Sequence, residues 1–320
     1  FPLPVILAML HMVTPFGFLM NVVIIPLCAV MLSAGLWRLA VFYILPASVS
    51  SLFYDQALWL WEKLMPLIAL FGDTPWLTIN VPPFSVFAVL VYYLAIAFFA
   101  LYCKTGERLH RDIFLCLVLV LCSHAFKPPA YDDALRVTAL DVGQGDCFVM
   151  RSDLGPLWVM DCGRTTGNSS KGETVAVPYL RNLGIQKIDC LYISHYDDDH
   201  MGGAKDIISG IRTKTIVAPP VMAFETNGWE LMRLAEKLGV KWVTLTKGQK
   251  YGDSTALWPP FDPLPPTSNS RSLVLLTPFK GYSLMWTGDL PKTYEFDLLR
   301  GCEGGLTPVA VYKIPHPGSS

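Results

Sequence analysis

The chain has 320 residues, 52% of them hydrophobic and 16% charged, and a mean hydropathy of +0.40. A soluble domain carries about 25% charged residues, so part of the sequence is expected in a membrane, with plain buried helices of a soluble protein as the alternative. The net charge of −1 gives no overall attraction to nucleic acid, although a local basic patch can hide in such an average.

The sequence opens on Phe1 and stops at "PHPGSS", directly after a motif-like stretch, so it reads as a piece cut at both ends. The first apolar stretch is too long for a signal peptide and lacks a basic flank. None of the eight cysteines forms a CxxC pair, which argues against zinc ribbons and thioredoxin-like motifs. They are expected as small buried hydrophobes.

Residues 1–126 are expected to be a multi-pass α-helical membrane region. Residues 3–36, 39–53, 84–103 and 112–126 hold few charges. A span needs about 20 apolar residues, and "FSVFAVLVYYLAIAFFALYC" (84–103) fits that. Segments 39–53 and 112–126 need flanking residues to reach it. Segment 3–36 is too long for one upright helix, and Pro15, Gly17 and Pro26 are expected to break it into a re-entrant piece plus a span. Asn21 and His11, both within it, suit either a helix–helix contact or a pore lining.

The loop "KTGERLHR" (104–111) carries Lys104, Arg108 and Arg111, which places it in the cytoplasm, as does Arg38. The chain after residue 130 is then extracytoplasmic. Region 54–82 lies on that same side, with Trp59, Trp61 and Trp76 suited to the membrane–water interface. Residues 127–134, "KPPAYDDA", make a proline-rich linker.

From 135 to 320 the pattern changes. Nine strand-like runs are predicted: "LRVTALDVG", "CFVMRS", "LWVMDCG", "DCLYISH", "KTIVAPP", "VKWVTLT", "RSLVLLTP", "YSLMWTGD" and "VAVYKIPH". Between them "AVPYLRNLG", "GAKDIISG", "WELMRLAEKLG" and "KTYEFDLLR" read as helices, with Gly184, Gly210 and Gly239 at their C-terminal ends. The alternation predicts an α/β domain with helices packed on sheet.

One stretch stands apart: "LYISHYDDDHMGG" (191–203). An apolar strand ends at His195, and Asp197, Asp198, Asp199 and His200 follow on a strand-end loop, where α/β proteins hold their chemistry. Extended spacing points His195 and Asp197 one way and Asp199 another. Carboxylates and imidazoles this dense are poorly satisfied without cations, and the spacing suits two ions. A solvated acidic turn accounts for the aspartates but not for two flanking histidines among only six in the chain.

The same stretch resembles the H-x-[HD]-x-D-H signature of the metallo-β-lactamase superfamily. With Asp at the third position it resembles the ComEC-type competence proteins, which bring transforming DNA into bacteria. "LDVGQGDCFVM", "MDCG", "NSRSLVLL", "WTGDL" and "YKIPHPGSS" are similar to further motifs of that family in the same order. Upstream, "LHMVTPFGFLMNVVIIPL" (10–27) is similar to one of its membrane segments. The resemblance implies an αββα metallo-β-lactamase-like sandwich at 135–320, C-terminally truncated, behind part of a DNA-channel domain.

It also implies roles. His195 and Asp197 bind one metal; Asp199, His200 and His316 bind a second; Asp289 bridges. Asp199 and Asp289 are thereby the catalytic carboxylates, and a bridging water is the nucleophile. Asp141 and Asp161 orient the surroundings, with plain turn formation as the alternative for both. Gly143, Gly145, Gly202 and Gly203 let backbone pass close by.

The chain departs from the family pattern in two places. It has no histidine from 201 to 315, and Pro317 stands where relatives often have another histidine. The oxygen-rich first site favours Mn²⁺ over Zn²⁺, with water, Asn269 or Ser270 completing it. Lys313, and less so Arg164, Lys171 and Arg271, are phosphate-contact candidates beside an ordinary surface role. The implied partners are DNA (single strand in transit, double strand at entry), the bacterial inner membrane, other uptake proteins and a second copy of the chain. The function read from all this is DNA uptake with hydrolysis of the non-imported strand. A DNA-guiding domain that does not cut, and a membrane-anchored lactonase-like hydrolase, are the alternatives.

Overall fold

A computed structural model of the protein describes residues 9–41, 55–56, 58–66, 68, 78–82, 85–125, 134–152, 155–167, 169–300 and 308–314. The chain divides into two units, Met12–Val81 and the rest.

In the first unit, β1 (Met12–Val13) pairs antiparallel with β2 (Ile79–Asn80). Helix α1 (Pro15–Val41) begins at Pro15, where a missing backbone N–H matters least. The expected breaks at Gly17 and Pro26 are absent, because the helix runs through both. Proline removes one backbone hydrogen bond and crowds the preceding turn, and 27 helical residues absorb that loss. Asn21 is exposed on this helix. Residues 58–66 are helical and expose Trp59 and Trp61. Trp76 lies outside the described residues.

In the second unit, α2 (Val86–Thr105) is capped by Ser85, whose Oγ accepts from Ala88 N at 3.2 Å. Gly106 ends it with φ of 70°, a left-handed conformation that glycine adopts without a Cβ clash. Helix α3 (Arg108–Ala125) follows at once, so Lys104, Arg108 and Arg111 surround a tight helical hairpin rather than a longer loop. Among the described residues, α2 is the one helix long and apolar enough to cross a membrane, and 21–37 is a shorter apolar stretch. The four spans expected from sequence are thus not all matched. The charged first turn of α3 shortens its apolar run, and 42–53 lies outside the described residues, as does linker 127–133.

The remainder of this unit is a layered α/β domain. One sheet is built from β3 (Leu135–Ala139), β4 (Phe148–Ser152), β5 (Leu157–Met160), β9 (Cys190–Tyr192), β11 (Thr215–Ala218) and β12 (Lys241–Thr244), in the order β12-β11-β9-β5-β4-β3, while β6 (Thr165–Thr166) with β7 (Ser169–Ser170) and β8 (Lys187–Ile188) with β10 (Arg212–Thr213) form two short separate pairs. The other main sheet has the order β13-β14-β15-β16-β17, from β13 (Lys250–Tyr251), β14 (Ser254–Trp258), β15 (Val274–Phe279), β16 (Tyr282–Trp286) and β17 (Val309–Tyr312). Side-chain alternation along each strand separates two burial faces. Val149, Val159, Leu191 and Ile216 turn to α4 (Val177–Asn182), α6 (Ala204–Gly210) and α7 (Thr226–Lys237). Met150, Met160, Tyr192 and Val217 meet Leu275, Leu284 and Trp286 of the second sheet. Val274 and Met285 face α8 (Lys292–Arg300) with Leu298. The order helix, sheet, sheet, helix follows.

All nine predicted strands and four predicted helices form. Gly184 and Gly239 are left-handed at helix ends, each with φ of 70°. Gly210 instead belongs to α6, where a Cβ would press on Val177 at 3.0 Å. Cys147, Cys162 and Cys190 are buried and free, as expected, whereas Cys28, Cys103, Cys116 and Cys122 are exposed on the apolar helices. Cys302 lies outside the described residues.

Candidate metal centre

The polar residues of interest gather at one rim of the sandwich. Parallel β5 and β9 end there, as do parallel β16 and β17, and β4 begins there. Asp161 follows β5, residues 193–200 follow β9, Asp289 follows β16, Lys313 follows β17, and Asp146 precedes β4.

The cluster is not extended throughout. Asp197 has φ −73° and ψ 148°, and it caps a helical turn, α5 (Asp198–Met201). Its carbonyl accepts from His200 N at 3.1 Å and Met201 N at 3.0 Å. Asp199 and His200 are therefore helical neighbours, because the Asp197 backbone offers the start of a helix and the glycines after Met201 allow the next chain segment close. Two glycines make the packing possible. A Cβ on Gly145, which has φ of +102°, would collide with the Asp199 carbonyl. One on Gly288, with φ of +55°, would meet Ser194 and Ser272 at 2.9 Å.

Asp161 lies beneath both imidazoles, 1% exposed and at φ 57°. It accepts from Ser194 N at 2.7 Å, Ser194 Oγ at 2.8 Å and His200 Nδ1 at 2.9 Å. A carboxylate only accepts, so His200 carries its proton on Nδ1 and turns Nε2 toward the cluster. Ser194 Oγ gives its proton to Asp161 and so accepts from His195 Nδ1 at 3.0 Å. His195 Nε2 is then left buried with no hydrogen-bond partner. The imidazole rings are 4.2 Å apart.

Among the described residues, two groups of donor atoms lie close enough to hold a cation: His195, Asp199 and His200, and Asp146, His200 and Asp289. Asp197 Oδ2 lies 3.7 Å from His195 Nε2, with its side chain 44% exposed. Asp289 Oδ2 lies 3.4 Å from His200 Nε2. The orphaned buried nitrogen, the fixed tautomers and the mixed nitrogen–oxygen donors fit a divalent ion.

The charges are strongly coupled. Burial first, and then His200, lower the His195 pKa to about 3. Burial also pulls His200 down, but the Asp161 and Asp289 carboxylates outweigh it and hold the metal-free His200 at about 10, so a cation at Nε2 would displace a proton there while Nδ1 keeps its own. Burial raises Asp146 despite Lys313 beside it. In Asp289 burial is overcome by His200 and Lys313, which hold the carboxyl well below the usual range.

The structure thus brings together His195, Asp197, Asp199, His200, Asp289 and Asp161. His316 and Pro317 lie outside the described residues. Asp141 is not part of the cluster: it is exposed, and its Oδ1 accepts from Gly143 N at 3.3 Å, so it forms the turn. Ser270 is occupied by Thr267, and Asn269 makes no described contact with the cluster. Arg271 is 2% exposed and pairs at 2.5 Å with Glu225, which removes it from the phosphate contacts. Arg164 donates to Gln144 Oε1 at 2.6 Å. Lys313 likewise faces inward, with its Nζ 2.9 Å from Asp289 Oδ1. Asp146 was missed by the sequence reading; its position in "GQGD", between a turn and a strand at the same rim, was the available signal.

Comparisons with known proteins agree with this construction. A family model described as "Metallo-beta-lactamase superfamily" matches residues 140–318, and one described as "Competence protein" matches residues 1–106. ComE operon protein 3 of Bacillus subtilis is 26% identical over 99% of this chain and 42% of its own length. Recombination protein 2 of Haemophilus influenzae is 28% identical over 65% of this chain and 24% of its own. Competence protein ComA of Neisseria gonorrhoeae is 27% identical over 61% and 26%. The chain therefore spans less than half the length of these relatives. With more than half of its residues matched, the chain belongs to the metallo-β-lactamase superfamily, here behind a competence-protein domain.

Proposed function

We propose that this chain serves DNA uptake in natural transformation, with its N-terminal helices in an inner-membrane DNA channel and its metallo-domain outside, hydrolysing phosphodiesters of the strand not imported. The observation that carries this reading is the union, in one chain, of a competence-protein match and an acid–imidazole centre at a sandwich rim. The proposed side of the membrane is supported by the hairpin of α2 and α3. Its basic turn, with Lys104, Arg108 and Arg111, stays in the cytoplasm by the positive-inside rule, so α3 leads outward. A full crossing by α3 and further passes in 1–126 belong to this proposal.

His195, Asp197, Asp199, His200 and Asp289 would hold divalent metal, with His316 joining them. The sequence expectation is a pair of ions, and Mn²⁺ suits the oxygen-rich donors better than Zn²⁺. Such an ion, when bound, polarises a phosphoryl oxygen and supplies a nucleophile at neutral pH. The chain's own part is orientation. Asp161 fixes both imidazoles, directly and through Ser194. Asp197, partly exposed, stands on the solvent side, where a phosphodiester would enter. The inward turn of Lys313 and Arg271 takes both out of direct phosphate contact.

The test uses the whole chain in detergent or bilayers, with end-labelled single- and double-stranded DNA, with and without Mn²⁺, beside Asp199→Ala. Mn²⁺-dependent cleavage that the variant loses is expected. A folded, metal-loaded chain that binds DNA without cutting it points to a guiding domain. Turnover of a lactone but not of DNA overturns the uptake reading.

A further inference from the structure

Lys313 is the residue whose place the metal-centre reading explains least. Its side chain is 10% exposed, and three oxygens surround its ammonium: Asp146 Oδ2 at 2.5 Å, Gly288 O at 2.7 Å and Asp289 Oδ1 at 2.9 Å. The contacts to Gly288 O and Asp289 Oδ1 are hydrogen bonds, and that to Asp146 Oδ2 is an ion pair, so the ammonium is held from three sides. The backbone is fixed as well. Lys313 N donates to Met285 O at 3.0 Å, and the Lys313 carbonyl accepts from Thr287 Oγ1 at 2.7 Å. The Lys313 ammonium therefore cannot reach a phosphate without leaving three partners. Its two carboxylates belong to a donor group that includes His200.

We propose that Lys313 is a positioning residue of the metal centre: it holds Oδ1 of Asp289 so that this carboxylate offers Oδ2 on the His200 side, and it neutralises Asp146 so that Asp146 is not a ligand. The proposal rests on the metal-binding reading of the site. Its physical basis is competition for lone pairs. A carboxylate that already satisfies an ammonium is a weaker donor to a second cation, and the ammonium repels that cation directly. With Lys313 removed, Asp146 and Asp289 would both turn on the ion. Binding would tighten while the geometry needed for turnover is lost.

The experiment measures Mn²⁺ affinity of the whole chain after chelation, by competition with a metal-binding dye and without DNA. Lys313→Met is expected to tighten Mn²⁺ binding by about tenfold, the scale on which groups beside the ligands act. It should also alter the Mn²⁺ electron paramagnetic resonance spectrum and lower kcat with little change in KM for DNA. Lys313→Arg, whose fork can span the same two carboxylates, should restore wild-type affinity in large part. Unchanged or weaker Mn²⁺ affinity in Lys313→Met overturns the proposal, as does a rise confined to KM, which would mark a phosphate contact. Should Lys313→Met fail to fold without metal, Asp146→Asn decides. Affinity within about threefold of wild type supports the proposal, and a loss of about a hundredfold makes Asp146 a ligand and overturns it. Because affinity is read without DNA, absence of nuclease activity leaves this inference standing. A wild-type chain that binds neither Mn²⁺ nor Zn²⁺ overturns the reading beneath it.

Discussion

Replacing Asp161 by Asn tests whether the centre depends on imidazoles held from below. Asn keeps the size and accepts the left-handed backbone at φ 57°. Its one oxygen can still take the Ser194 N–H, now 2.7 Å from Asp161 Oδ1. Its amide then faces Ser194 Oγ and His200 Nδ1, and it donates where the carboxylate accepted. His200 must move its proton to Nε2, the atom needed for metal. Losing a hydrogen bond to a charged group costs about 1.5–3 kcal/mol. Loss of a group that orients a metal-binding imidazole costs about 10- to 100-fold in affinity, which is about 1.4–2.8 kcal/mol. The two estimates agree, so Asp161→Asn should weaken Mn²⁺ binding by about 10- to 100-fold. The assay is a Mn²⁺ titration against a competing chelator, with circular dichroism to confirm the fold. A folded variant whose affinity stays within about twofold of wild type would refute the reasoning and leave Asp161 as a turn former.

In the chelated, metal-free chain, His200 is raised from 6.5 to about 10, so its stabilisation is complete below about pH 6.5 and is lost as pH rises through about 10. His195, lowered to about 3, acts in the opposite sense: its stabilisation is present above about pH 6.5 and is lost as pH falls toward 3. The melting temperature should therefore peak near pH 6.5, with His200→Gln flattening the alkaline limb; a wild-type curve flat from 6.5 to 10 contradicts the charge assignment. Glu225→Gln leaves the buried Arg271 charge without a counter-ion, held only by the Pro265 and Pro266 carbonyls, which should cost about 3–5 kcal/mol and lower the melting temperature by about 6–20 °C. An unchanged melting temperature with weaker DNA affinity would return Arg271 to the DNA surface.

Strands with apolar residues on both faces were legible, because burial in a two-sheet sandwich writes itself as runs such as "CLYIS" and "RSLVLL". β14 was not, because "STALW" reads as weakly polar. Its Ser254 is buried only by virtue of Thr277 Oγ1 at 2.8 Å and Tyr192 OH at 3.3 Å, partners distant in sequence. The same limit governed the site. His195, Asp199 and His200 sit within one motif and could be found locally. Asp146, and the inward turn of Lys313 and Arg271, depend on which strand ends share a rim. Composition counts lysines and arginines but cannot tell an ammonium at the surface from one locked between carboxylates.

The contact from Lys313 to Asp146 joins the rims of two different sheets, and Gly288 of one presses on Ser194 of the other. The centre thereby reads the alignment of those sheets. A substitution deep between them, at Met160 or Trp286, would slide one rim past the other and shift donor atoms it never touches. Variants that impair catalysis are therefore to be sought in the apolar interior as well as among the acids and imidazoles.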